Sequence, residues 1–315
     1  MKISIGKLRG LQQCTSPRGT FTCLALDHRQ NLRKANPAFV DDAQLSHFKL
    51  DIVSALADLP TAVLFDPEVS AAQTIAAGVL PGKTAFVVAV EATGYGGSPT
   101  ARHSQILPGW SVEKAKRMGA SMVKLLVYYH PDSPTAPEIE GFVRQVADEC
   151  VKYDLGLMLE PLSYSLVATK KLSCAEKRHV VVETARQLVI PGVDVLKAEF
   201  PLDAVEDKDE AAWTAACVEV SAASPAPWIV LSAAVNFDTY LRQVEIACRA
   251  GASGCAVGRA VWQEAVNMDG AERIDFLRTA GRERLARLAD LCSRSGKPVG
   301  DFYQADAPFD WYKTY

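Results

Sequence analysis

No stretch of this 315-residue chain approaches the roughly 20 consecutive apolar residues that a bilayer crossing requires. No apolar run with a cleavage pattern follows Met1-Lys2-Ile3-Ser4, so a cytoplasmic, soluble protein without membrane contact is the expectation. Charge of one sign is also lacking: 34 Lys and Arg stand against 37 Asp and Glu, for a net charge of −3. That balance excludes a global attraction for nucleic acid or an anionic surface, so any phosphate site must be local. The eight cysteines contain no C-x-x-C pair and several sit in apolar surroundings, so they read as buried free thiols and not as disulfides or zinc ligands. The five histidines show no H-x-H or H-E-x-x-H spacing, and no catalytic metal is expected. The glycine-rich segment 94–99 matches no dinucleotide fingerprint and reads as a mobile loop between a strand and a helix. No Pro/Gly/Ser-rich linker breaks the chain, which predicts one domain over 1–315, with a body at about 20–295 and an irregular aromatic tail at 298–315.

What is present is alternation. Eight short β-branched or apolar runs, at 21–26, 62–65, 85–90, 122–128, 155–159, 193–198, 228–231 and 254–257, are separated by segments of helical periodicity. Ser173-Cys174-Ala175-Glu176 has the form of a capping box, which predicts a helix from there to about Val189. Ile139, Phe142, Val143, Val146, Cys150 and Val151 fall at helical spacing, giving one apolar face, and Gly251 suits the C-terminal cap of a helix over 240–250. Eight alternating βα units in about 250 residues predict an α/β fold, a (β/α)8 TIM barrel, with a doubly wound sheet as the alternative. The aromatic tail is expected to pack on the barrel or on a neighbouring subunit.

The chemistry of such barrels gathers at the C-terminal ends of the strands. There the sequence places Asp27, His28 and Arg29 after the first strand, Asp66 and Glu68 after the second, and Glu91 after the third. Lys124 lies in the fourth, Glu160 follows the fifth, Lys197 and Glu199 lie in and after the sixth, Ser232 and Ala233 follow the seventh, and Gly258 and Arg259 follow the eighth. A lone strand-end carboxylate commonly caps the next helix or pairs with a neighbouring strand, and that alternative stands for Asp66, Glu68, Glu91 and Glu199. It does not account for two lysines inside apolar strands, because a buried ammonium is costly unless it is paired or chemically employed. Period-two alternation lets Lys124 and Lys197 both face the barrel interior, where each would disfavour the other's protonation and leave a free amine. An amine attacks a ketone, so Schiff-base chemistry at Lys197 is the leading expectation, with Glu160 on the neighbouring strand as acid and base. A structural Lys–Glu network is the competing account. The small residues around Ser232, Ala233 and Gly258, with Arg259, suit a phosphate.

Taken together, Leu24-Ala25-Leu26-Asp27-His28-Arg29, Leu64-Phe65-Asp66-Pro67-Glu68, Glu91-Ala92-Thr93-Gly94-Tyr95, Val123-Lys124-Leu125-Leu126-Val127-Tyr128, Leu159-Glu160-Pro161-Leu162, Val195-Leu196-Lys197-Ala198-Glu199, Leu231-Ser232-Ala233 and Gly258-Arg259-Ala260-Val261-Trp262 resemble the class I tagatose-1,6-bisphosphate aldolase family, which includes sulfofructosephosphate aldolases. The resemblance implies a TIM-barrel lyase that splits a ketohexose bisphosphate into dihydroxyacetone phosphate and glyceraldehyde 3-phosphate, with no cofactor beyond a covalent lysine. It implies Lys197 as the Schiff-base residue, Glu160 as acid/base, and Asp27, Lys124, Ser232 and Arg259 at substrate-contacting positions. The only partner it implies is a small sugar phosphate, with a homo-oligomer left open. The chain departs from the family at His28, where glutamine is usual, at Gln30, where glycine is usual, and at Ala92, where lysine is common. These departures leave the far end of the sugar open among phosphate, sulfonate and an uncharged group. A sugar-phosphate epimerase using Glu160 without a covalent intermediate, or a non-catalytic sensor, are the rival functions on the same scaffold.

Overall fold

The computed structural model describes residues 1–313 and Tyr315. Its strands are β1 (Phe21–Ala25), β2 (Ala62–Phe65), β3 (Ala85–Ala89), β4 (Gly96–Ser98), β5 (Ala101–His103), β6 (Met122–Tyr129), β7 (Gly156–Ser163), β8 (Val195–Ala198), β9 (Trp228–Leu231) and β10 (Gly254–Val257). Eight of them close into a barrel in the order β1-β10-β9-β8-β7-β6-β3-β2, every neighbouring pair parallel. This is the (β/α)8 barrel expected from the sequence, with three strands at the predicted bounds and the others displaced by one to four residues at an end. Barrel strands are buried on both faces, which is why they read as near-continuous apolar runs.

The alternation of side chains sorts them into two layers. Leu24, Val63, Phe65, Val123, Leu125, Leu157 and Val230 point outward against the helices. Phe21, Cys23, Leu64, Val87, Met122, Met158, Val195, Ile229 and Ala256 point inward and fill the lower barrel. Two residues further along the same inward-facing rows stand Lys124, Glu160 and Lys197, so the period that packs the core also delivers the charged groups above it. Gly254 has φ +137, and a Cβ there would lie 2.0 Å from the Phe21 carbonyl oxygen, so the approach of β10 to β1 requires glycine.

Helices form where their caps predict. Ser173 and Glu176 make the reciprocal capping box of the helix Cys174–Leu188, and Asp41 with Gln44 does the same for Asp42–Leu56. The fifth predicted strand runs on through Pro161 to Ser163, paired residue for residue with β6, so Glu160 lies within a strand and not beyond its end. Segment 94–99 is not an unstructured loop: its residues enter the antiparallel hairpin β4–β5. At the N-terminal end of the barrel, the helix Ile5–Cys14 and the tail close the floor through Leu11, Cys14, Val299 and Tyr303. The tail therefore packs on the barrel at the end opposite the strand C-termini.

Candidate functional site: a charged cluster at the mouth of the barrel

A cavity of about 660 Å³ opens at the C-terminal ends of the strands. Asp27, His28, Arg29, Glu91, Lys124, Glu160, Lys197, Glu199, Ser232, Ala233, Gly258 and Arg259 all reach it, which brings together every candidate from the sequence except Asp66 and Glu68. Asp66 is fully buried outside it. It pairs with the equally buried Lys49 and accepts from the Glu68 and Val69 backbone N–H groups at 2.9 and 2.8 Å, so it has the loop-capping role that was the alternative for a strand-end carboxylate.

At the floor of the cavity, Lys124 Nζ lies 2.7 Å from Asp27 Oδ2, 2.7 Å from Glu91 Oε1 and 2.9 Å from Glu160 Oε2. Lys197 Nζ lies 2.9 Å from the other carboxylate oxygen of Glu160, so Glu160 bridges the two lysines. Both lysines and Glu160 are buried. The contact of Lys124 with Glu160 is an ion pair without hydrogen-bond alignment, which leaves Oε2 free of a bonded donor. Burial disfavours the charge on Lys124, but Asp27, Glu160 and Glu91 outweigh it and push its pKa well above the usual lysine range. For Lys124 the expected depression by a neighbouring lysine does not occur: it stays an ammonium because three carboxylates surround it. The same balance runs the other way for the acids. Burial would raise Glu160, but Lys124 and then Lys197 hold it below the ordinary carboxylate range, and Asp27 lies well below it for the same reasons. Glu91, where burial prevails over Lys124, is raised.

The walls differ. On the β9/β10 side, Ser232 Oγ accepts from the Gly258 N–H at 3.4 Å, and Ala233 and Ala234 have φ 42 and 62. These two residues are the centre of a tight turn closed by the Val235 N–H donating to the Ser232 carbonyl at 3.0 Å, which holds Ser232 and Ala233 on the cavity wall. Arg259 stands beside it with a buried Nε that has no partner. His28 also lies on this side, its ring edge-on to Trp262 at 5.4 Å and its Nδ1, 3.9 Å from Asp27 Oδ1, without a hydrogen-bond partner among the described residues. Burial lowers its pKa to about 4, so the imidazole is neutral near pH 7. Arg29 is tied to the Glu68 carboxylate and donates to the Glu91 carbonyl at 3.2 Å. Glu199 accepts from the Ser163 N–H at 2.6 Å.

Opposite, on the β3/β6 side, Tyr95 and Tyr128 line the cavity with ring centroids 5.0 Å apart. Behind them the Arg102 guanidinium is stacked on Tyr95, Tyr128 and Tyr164 at 4.3, 5.1 and 4.5 Å. Sequence reasoning missed Arg102 and the cavity-lining Lys34. Arg102 sits in a polar turn with no periodic signal, and Lys34 reads as a solvated helix residue until the helix Gln30–Ala35 is placed beside the mouth. Among the described residues, no group of three or more His, Cys, Asp or Glu is arranged to hold a metal ion.

A profile of DeoC/LacD family aldolases matches residues 21–264, the whole of the barrel's strands. The chain belongs to the DeoC/LacD aldolase family. Among relatives, it is 30% identical to tagatose 1,6-diphosphate aldolase 2 of Enterococcus faecalis, over 92% of this chain and 95% of that one. It is 29% identical to the tagatose 1,6-diphosphate aldolase of Listeria monocytogenes over 95% of each. Among solved structures, the fructose-bisphosphate aldolase of Plasmodium falciparum superposes with a TM-score of 0.72 at 15% identity, covering 94% of this chain and 98% of that one. An archaeal fructose 1,6-bisphosphate aldolase gives 0.62 at 23%, covering 92% and 99%. At those identities the structural likeness establishes the shared barrel. As a DeoC/LacD aldolase, this chain is a carbon–carbon lyase.

Proposed function

We propose that this DeoC/LacD aldolase is a class I enzyme that cleaves tagatose 1,6-bisphosphate or a closely similar phosphorylated ketohexose to dihydroxyacetone phosphate and glyceraldehyde 3-phosphate. The observation that carries the reading is the buried Lys197 amine 2.9 Å from Glu160 at the floor of an open cavity. The names of the Enterococcus and Listeria relatives point to the substrate.

The substrate's first phosphate sits at the β9/β10 wall among Ser232, Ala233, Gly258 and Arg259, which presents the C2 carbonyl to Lys197. The Lys197 amine attacks C2, Glu160 carries one nitrogen proton to the oxygen to give the carbinolamine hydroxyl, and a second proton, drawn from solvent through Glu160, lets that hydroxyl leave as water. The iminium that results is an electron sink. Loss of the C4 hydroxyl proton to a base drives the C3–C4 electron pair into the iminium, giving an enamine on Lys197 and releasing the aldehyde. Protonation of C3 and addition of water then free dihydroxyacetone phosphate and regenerate the amine. Lys124 remains charged throughout, keeping Glu160 ionised between proton transfers and Asp27 in place. Because the iminium supplies the electron withdrawal, the proposed cycle needs no resident metal.

Borohydride added with dihydroxyacetone phosphate tests this. We expect irreversible loss of activity, one reduced adduct located on Lys197 by peptide mass, no adduct in Lys197→Ala, and full activity in EDTA. Full turnover by Lys197→Ala, or loss of activity on chelation, refutes the class I reading.

A further inference from the structure

Cleavage of the C3–C4 bond needs a base at the C4 hydroxyl, and the acceptors lining the cavity differ in whether they are free to serve. Asp27 and Glu91 are each paired with Lys124 at 2.7 Å, and Glu91 accepts from the Leu126 N–H as well. Glu199 accepts from the Ser163 N–H at 2.6 Å, and burial raises the pKa of the Tyr128 hydroxyl, which keeps its proton. Glu160 lies between the Lys124 ammonium and Lys197, which bears a positive charge once it has become the iminium, so its carboxylate is a weak base at the moment of cleavage.

His28 is free. It lines the cavity and makes no hydrogen bond among the described residues. Packing holds its ring: it stands edge-on to Trp262, and a Cβ at position 258 would lie 2.9 Å from its Cε1, so Gly258 gives it room. Its buried Nδ1 faces Asp27 Oδ1 at 3.9 Å. Asp27, despite its burial, is held ionised by Lys124, and that carboxylate favours the tautomer with the proton on Nδ1, which leaves the Nε2 lone pair to the cavity. An imidazole backed by a carboxylate is a common form of general base, and such contacts are often long before substrate binds.

The row Lys197, Glu160, Lys124, Asp27 crosses the cavity floor in links of 2.9, 2.9 and 2.7 Å, with His28 beside its Asp27 end. A ketose with C2 on Lys197 carries its C4 hydroxyl two bonds further along that row. Burial lowers the basicity of the free ring; Asp27 opposes this, while Arg259, Lys197 and Lys49 add to it. The first phosphate, at the wall where Gly258 meets His28, brings negative charge beside the ring, so the imidazole gains basicity when substrate is bound. At this position the chain departs from the family's usual glutamine, which cannot take a proton, so such a base belongs to this chain and not to the family at large.

We propose that His28 is the base that takes the C4 hydroxyl proton and the acid that returns it to C3. The C4 O–H bond breaks as Nε2 takes the proton. The oxygen electron pair closes the aldehyde C=O, the C3–C4 pair becomes the C2=C3 bond of the enamine, and the iminium π pair moves to nitrogen. After the aldehyde leaves, the imidazolium, stabilised by Asp27, gives its proton to C3 and restores the iminium. Glu160 then serves formation and hydrolysis of the Schiff base, and His28 serves the carbon–carbon step. The inference rests on the class I reading and deepens it.

Two readouts with dihydroxyacetone phosphate separate these steps. Borohydride trapping reports the iminium, and exchange of the C3 hydrogen in deuterium oxide, followed by NMR, reports proton transfer at C3. In His28→Gln, which keeps a polar side chain that takes no proton, trapping proceeds as in wild type. Its exchange rate, and its kcat for cleavage of tagatose 1,6-bisphosphate, fall by about a hundredfold or more, the usual share of a positioned acid–base group. His28→Ala shows the same loss, and added imidazole restores part of it. Exchange at the wild-type rate in His28→Gln, or trapping lost in step with exchange, overturns the proposal. Absence of trapping in the wild type refutes the class I reading itself, so the two failures are told apart.

Discussion

Lys124 shows how much of this site is electrostatic. A single ammonium within 2.9 Å of three carboxylates holds Glu160 and Asp27 ionised in a buried place where burial alone would protonate them. Replacing it with methionine removes the largest attraction on Glu160 and leaves burial and Asp27, which raise its pKa, opposed by Lys197 alone. A base must be ionised to work, so the acidic limb of the pH–kcat/KM profile of Lys124→Met moves toward neutral pH, and kcat falls by about a hundredfold or more as acid–base catalysis is impaired. The sign is fixed by the direction of the shift: in wild type the depressed Glu160 keeps activity down through the ordinary carboxylate range, and the variant loses that margin. A profile that only drops in height, with its acidic limb unmoved, refutes this role. The sequence made Lys124 visible as a charge in an apolar strand. It did not reveal that Lys124 would be the fixed charge, because that depends on Asp27, Glu91 and Glu160 converging from three other strands.

At the scale of the element, what was legible depended on whether its cause was local. The barrel strands and the box-capped helix Cys174–Leu188 carry their signals within a few residues, and they form where those signals lie. The hairpin β4–β5 was not legible. Its sequence has no alternating apolar pattern, its first strand is exposed, and what holds it is distant in the chain: the stack of Arg102 on Tyr95, Tyr128 and Tyr164, and His103 Nδ1 at 2.7 Å from Glu138. Gly97 is the local requirement, at φ +81 with no room for a Cβ beside the Ala101 carbonyl oxygen. Because two of the three rings under Arg102 line the cavity, the hairpin and the substrate wall form one unit. Arg102→Leu removes three cation–π contacts, each worth about 0.5–1 kcal/mol. The expected result is faster proteolytic cleavage within 94–103 and a severalfold rise in KM, with Arg102→Lys intermediate. Cleavage and KM both at wild-type values exclude the coupling.

Across the whole molecule, stability and chemistry lie at opposite ends of the barrel. The floor is held by another buried ion pair, Lys7 Nζ to Asp194 Oδ2 at 2.8 Å, with Lys7 also donating to the Gly192 carbonyl at 3.1 Å. Asp194 accepts from the Leu157 N–H at 2.8 Å, and its carbonyl accepts from the Tyr303 hydroxyl at 2.8 Å, so one residue joins the N-terminal helix, β7 and the tail. Nothing local in the sequence marks this junction, since Lys7 and Tyr303 each lie more than a hundred residues from Asp194. Lys7→Met leaves the carboxylate buried without its counter-ion, which costs about 3–5 kcal/mol near neutral pH. Burial already raises the Asp194 pKa against the pull of Lys7, and without that pull it rises further. A carboxyl whose folded-state pKa lies above its unfolded value binds its proton more tightly when folded, so its penalty is largest at high pH and shrinks as pH falls through the folded value. Unfolding by denaturant should therefore show a smaller deficit for Lys7→Met relative to wild type at pH 5 than at pH 8. The folded variant keeps its turnover, because the cavity lies at the other end. A deficit that is equal or greater at pH 5 shows that the lost lysine was a packing element and not the counter-ion of Asp194.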